Sequence, residues 1–124
     1  MRKSIDEMTE AEVRDYAREL EGRLAALERV DYVYFFHDPT ANVIKIGHSQ
    51  NVPQRLVALR KADNRPLELL GVVRGDKHLK RRLQQQFDAH RVDDDGDRKS
   101  EWFAAADELM NYIRAQAHDL PRRE

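Results

Sequence analysis

The sequence predicts a single α/β domain with an N-terminal helical extension, and three observations carry that prediction. Residues 31–37 and 42–47 are aromatic and β-branched runs on either side of a Pro-containing turn, the pattern of a β-hairpin. The segments around them repeat apolar residues at three- and four-residue spacing, as helices with one buried face do. The chain has 124 residues, 40% of them hydrophobic, enough for one modest core and not for two.

Residues 9–29 read as the first helix. Thr9 with Glu12 has the spacing of a capping box, which satisfies free amide groups at a helix start. Val13, Ala17, Leu20, Leu24 and Leu27 then recur in heptad fashion and make one narrow apolar stripe. The stripe has two readings, packing on its own domain or pairing in a homodimer through residues 9–29, because a helix of this length is marginal alone.

In the hairpin, taking "DPTA" as the loop pairs His37 with Asn42, Phe36 with Val43, Phe35 with Ile44, Tyr34 with Lys45 and Val33 with Ile46. Strand alternation then puts Val33, Phe35, Ile44 and Ile46 on one apolar face and Tyr34 opposite Lys45 on the other. A phenol and an ammonium on one patch of sheet form a candidate site, or else a Lys stem covering an aromatic ring.

After Gly47, Asn51 is the expected N-cap of a second helix with Pro53 in its first turn, where a missing amide hydrogen is harmless. Val52, Leu56 and Leu59 point inward and Arg55 falls at the flank of that stripe, beside the hairpin. Residues 66–73 read as a third strand. The next helix turns Leu79, Leu83 and Phe87 inward, Lys77 and Arg81 outward, with Lys80 and Gln84 on the flank. "DDDGDRKS" is a loop, Glu101-Trp102-Phe103 a tight unit with both rings as core plugs, and a last helix follows. The expected organisation is a helix over 1–30, a domain over 31–118 and a tail over 119–124.

Composition excludes several classes. With no Cys there is no disulfide framework, thiolate metal site or Cys nucleophile. No apolar run approaches membrane-helix length and the N-terminus has no apolar signal core, so a cytoplasmic protein without membrane contact is expected. The five His lack zinc-motif spacing, and an EF-hand anchored on Gly96 would need acids where Arg91 and Trp102 stand. The net charge of −1 conceals an asymmetry: residues 51–91 hold ten Lys and Arg against four Asp and Glu. A polyanion-binding face gives such a count, and so do solvated helix surfaces. Arg60, Lys61, Lys77 and Arg81 are the candidate DNA contacts within it.

"VYFF", "IKIG", Arg55 in the following helix, "LELLGVV" and the late "EWF" together resemble the GIY-YIG nuclease superfamily, in particular its small phage and bacterial members with Lys in the second signature half. Tyr34 to Lys45 is eleven positions and Lys45 to Arg55 ten, close to that pattern, and the resemblance spans about residues 32–116. It implies a small three-stranded mixed or antiparallel sheet flanked by helices, acting as a metal-dependent DNA endonuclease, with Tyr34 and Lys45 at active-site positions and Mg²⁺ or Mn²⁺ as cofactor.

The residue types suit phosphodiester hydrolysis, which needs an activated water, a stabilised phosphorane and a neutralised leaving group. Arg55 can fork onto phosphate oxygens, Lys45 can supply a point charge or accept a proton, and Tyr34 can relay a proton or orient water. Gly47 would let DNA approach the backbone or simply end the strand, and His48 could contact phosphate or donate a proton, or be an exposed loop residue. The sequence departs from the family at the metal. The resemblance would put a Glu and a following His on the helix after the third strand, and those positions hold Lys80 and Gln84. Glu101 is then the candidate metal ligand, its other reading being an acidic residue favoured at a helix start. The alternative to a nuclease is a non-catalytic DNA-binding or regulatory module on the same fold.

Overall fold

The computed structural model describes residues 8–26, 30–92 and 100–120, with no side chains given for 20–26. Its elements are α1 (Glu10–Ala26), β1 (Tyr32–Asp38), β2 (Val43–Ser49), α2 (Val52–Asp63), β3 (Glu68–Arg74), α3 (Lys77–Gln86), β4 (Trp102–Ala104) and α4 (Asp107–Gln116). The strands form one antiparallel sheet of four in the order β3-β1-β2-β4, not the expected three. The additional strand is the short segment read from sequence as a tight unit before the last helix. It becomes a strand because Lys45 pairs with Trp102, Ile44 with Phe103 and Val43 with Ala104.

The hairpin register is shifted by two from the expected one. Asp38 closes β1 opposite Val43, so that Phe36 faces Lys45 and Tyr34 faces Gly47. The cause is the Asp38 side chain, whose Oδ1 accepts hydrogen bonds from the amides of Thr40 and Ala41 and builds the turn over residues 39–42. Asn42 ends that turn in the left-handed region at φ 55°, and its amide donates to the Asp38 carbonyl at 2.7 Å. A shift of two preserves side-chain parity, so the division of faces stands.

Helices cover both faces. On one, Tyr34, Phe36, Leu69, Val72 and Trp102 pack with Val52 and Leu56 of α2. On the other, Val33, Phe35, Ile44, Ile46 and Phe103 pack with Leu83 of α3, Phe87 and Leu109 and Ile113 of α4. The two expected core plugs part company: Trp102 lies on the α2 side and Phe103 on the α4 side, because consecutive strand residues face opposite ways.

Both sheet edges are tied down. Val72 and His118 exchange backbone hydrogen bonds along β3, and Arg91 bridges to Phe103 along β4. Arg91 also donates to the carbonyls of Ser100 and Gln84 and stacks its guanidinium 4.8 Å from the Phe103 ring centre, tying α3 to the segment that leads into β4.

The capping box of α1 forms in both directions, Thr9 amide to Glu12 and Glu12 amide to Thr9 Oγ1, each at 3.2 Å. Val13 and Ala17 are buried, α1 packs on α2, and the Asn51 side-chain amide donates to the Ala17 carbonyl at 3.2 Å. The described part of the stripe is thus used within the chain, and a homodimer contact has no support among the described residues. Leu20, Leu24 and Leu27 lie outside the described side chains, and the "DDDGD" loop lies outside the described residues. Among the described residues no helix is long and apolar enough to cross a membrane.

Candidate functional site

On the α2 side of the sheet, Tyr34 lies flat across Gly47, its cross-strand partner, and stacks on Phe36 with ring centres 4.0 Å apart. A Cβ at Gly47 would collide with the phenol oxygen and ring carbons. Gly47 thus makes room for Tyr34, and the exposed backbone approach expected there is filled by the ring. Tyr34 is 1% exposed. Burial raises its pKa above the ordinary 10; a hydrogen bond from Arg55 and the charge of that guanidinium pull it back in part, and the Glu101 carboxylate pushes it up again. The phenol is protonated at neutral pH, which suits donating a hydrogen bond and not accepting a proton. Arg55 is held at the exposed start of α2 by the Asn51 cap, whose side chain accepts from the Gln54 amide at 3.3 Å.

Beside this pair, three side chains converge on Glu101. Lys45 from β2 lies 3.3 Å from Oε1 and Lys80 from α3 lies 2.9 Å from Oε2. The Gln84 carboxamide donates to Oε2 at 3.1 Å and to the Ile46 carbonyl at 2.8 Å. The Glu101 backbone is pinned as well, its carbonyl accepting from the Ile46 amide at 3.0 Å. Burial alone would raise the carboxyl pKa, but the hydrogen bonds from Lys80 and Gln84 and the charges of Lys45 and Lys80 outweigh it and lower the value from 4.5 to about 2. Glu101 is a fixed anion at any physiological pH.

This arrangement does not fit Mg²⁺ or Mn²⁺. Such an ion needs several oxygen ligands, whereas both Glu101 oxygens are engaged by ammonium and amide donors and the neighbouring Lys80 and Gln84 offer no carboxylate. Among the described residues no cluster of three or more His, Cys, Asp or Glu could hold a metal.

The remaining candidates separate. His48 is the strand partner of Val33, so its side chain belongs to the α3/α4 face, away from Tyr34 and Lys45. Arg60 is spent on structure, its Nε and one terminal nitrogen donating to the Leu67 carbonyl at 2.9 and 2.7 Å. Lys61 is exposed on α2, and Lys77 and Arg81 are exposed on α3. Since α2 and α3 cover opposite faces, Lys61 does not share one surface with Lys77 and Arg81.

One residue was not legible in the sequence. Arg65 stacks with its guanidinium carbon 4.1 Å from the Trp102 ring centre, and Lys45 lies 5.5 Å from the same centre. Arg65 also approaches the buried Asp38 carboxylate at 3.8 Å. With Lys45 and Lys80 it makes three cations around Glu101 and Trp102, and Arg55 adds a fourth beside Tyr34, a surface able to receive a polyanion backbone.

No curated protein matches this sequence significantly, and no solved structure does. Residues 31–118 match the T5orf172 domain, a phage-associated domain related to nuclease-like folds, and the chain belongs to that family.

Proposed function

We propose that this protein is a DNA-binding module of GIY-YIG nuclease type that grips the phosphodiester backbone and does not hydrolyse it with Mg²⁺. The observation that carries this reading is the Lys45–Glu101–Lys80 cluster, in which the Glu101 carboxylate is neutralised by two ammonium groups instead of being open to a metal. Lys45, Arg55 and Arg65 would contact phosphate oxygens, and the buried Tyr34 phenol would position the Arg55 guanidinium beside it. Family membership supports a nucleic-acid target. The test is anisotropy of labelled duplex and branched DNA across a salt series, alongside supercoiled plasmid incubated with Mg²⁺ or Mn²⁺. Salt-dependent binding with intact plasmid is expected, and the absence of binding to either DNA would end the proposal.

A second reading, endonuclease activity, is favoured by the Arg55 guanidinium acting on the Tyr34 phenol, whose pKa it lowers against the effect of burial. A guanidinium gripping phosphate beside a protonated phenol is suited to stabilising developing charge and orienting water. Plasmid nicking that is lost in both Tyr34→Phe and Arg55→Ala would establish it.

A further inference from the structure

Lys45 and Lys80 come from opposite layers, a strand and a helix, yet meet at one point. Their side chains are only 12% and 19% exposed, while that of Glu101, which they enclose, is 34% exposed. The third donor, Gln84, is oriented by its bond to the Ile46 carbonyl and does not depend on Glu101 for its direction. The lysines and the carboxamide therefore form a preorganised cradle for an oxyanion, and the occupant is the most exposed member of the group.

A carboxylate and a phosphodiester are alike in what such a cradle reads: one negative charge spread over two oxygens. We infer that Lys45, Lys80 and Gln84 form a subsite for one DNA phosphodiester, and that Glu101 is a resident competitor that a phosphate displaces. The inference rests on the DNA-binding reading for the source of the phosphate. Glu101 can leave without unfolding the edge of the sheet, because its backbone carbonyl stays bonded to the Ile46 amide while the side chain turns to solvent. Lys45 and Lys80 then face incoming phosphate without an internal counter-ion. In the closed state both are neutralised in part by Glu101, which weakens the attraction for any polyanion and keeps this subsite shut to weak ligands.

The test is Glu101→Gln, which keeps the shape and removes the charge. Its melting temperature in inorganic phosphate should exceed that in chloride at matched ionic strength by about 3 °C or more, a difference absent from wild type. Its affinity for duplex DNA should rise about tenfold, and the slope of log K against log salt should steepen by about 0.9, one more phosphate neutralised. Adding Lys80→Gln to Glu101→Gln should return both readouts toward wild type. If Glu101→Gln does not fold, Glu101→Asp, which keeps the charge but is too short to engage both lysines fully, should show the same changes at smaller size. No phosphate-dependent melting shift in the folded variant overturns the subsite, whatever DNA does. A phosphate shift without tighter DNA binding overturns the phosphodiester as its ligand and identifies free phosphate instead. Failure of wild type and variant alike to bind DNA removes the DNA-binding reading and leaves the melting comparison to decide the cradle.

Discussion

Tyr34 occupies the space that a side chain at Gly47 would need, across the strand pair β1–β2. The ring cannot yield easily, since it is also stacked on Phe36 and covered by α2. Gly47→Ala should therefore destabilise the fold by about 1–3 kcal/mol, the usual cost of overpacking, as measured by denaturant unfolding. The same change should cost much less in a Tyr34→Leu background, because the atoms it meets are gone. Equal costs in both backgrounds would mean that Gly47 serves strand geometry and not the ring.

Sequence reading succeeded where the controlling rule was local. The Thr9–Glu12 box, the Asn51 cap with Pro53 behind it, and the division of the hairpin into two faces each depend on a few neighbouring residues. The register did not follow, because it depends on the Asp38 carboxylate capping its own turn, a side-chain choice that spacing does not reveal. β4 was missed because three residues become a strand only by pairing with β2. That Tyr34 and Lys45 share one face of the hairpin was legible from strand alternation, although their direct pairing was not. Arg65 was not, since its place over Trp102 is created by two segments far apart in the chain.

Arg65 and the outer face of α3 make competing claims on DNA. If the α2 side of the sheet receives the backbone, Arg65→Gln should weaken duplex binding several-fold and flatten the salt slope by about 1. Lys77→Glu with Arg81→Glu, on the other side, should change both much less. Because Arg65 also neutralises the buried Asp38, some loss of stability will accompany its replacement, but a stability loss alone leaves the salt slope unaltered in the folded fraction. The reverse pattern, an unaffected Arg65→Gln and a crippled α3 variant, would move the DNA to the α3 face.

Glu101 should leave a signature in the acid stability profile. Its folded pKa of about 2 lies below the ordinary 4.5, so its contribution is fully present above pH 4.5 and is lost as pH falls toward 2. Unfolding free energy measured across that window should fall more steeply for wild type than for Glu101→Gln. Parallel profiles would mean that Lys45 and Lys80 do not hold the carboxylate in solution.

Replacing Lys80 tests whether the site is a nuclease scaffold held silent. Lys80→Glu would place a second carboxylate beside Glu101, and Gln84→His would add the imidazole that the GIY-YIG resemblance implies next to it. The loss of one ammonium and the gain of oxygen ligands turn an anion cradle toward a cation site. The double variant should therefore melt higher in Mg²⁺ or Mn²⁺ than in EDTA, a shift absent from wild type, and should nick supercoiled plasmid only with the metal. Within that background, Arg55→Ala should cut the nicking rate by about 10²–10³-fold while DNA affinity falls only modestly, because its charge would act chiefly on the transition state. Tyr34→Phe should do comparable damage with the fold intact, since the ring still fills the space over Gly47. Metal-dependent nicking by the wild type at the rate of the double variant would show that Lys80 silences nothing, and the reading of this protein as a binding module would give way to that of an endonuclease.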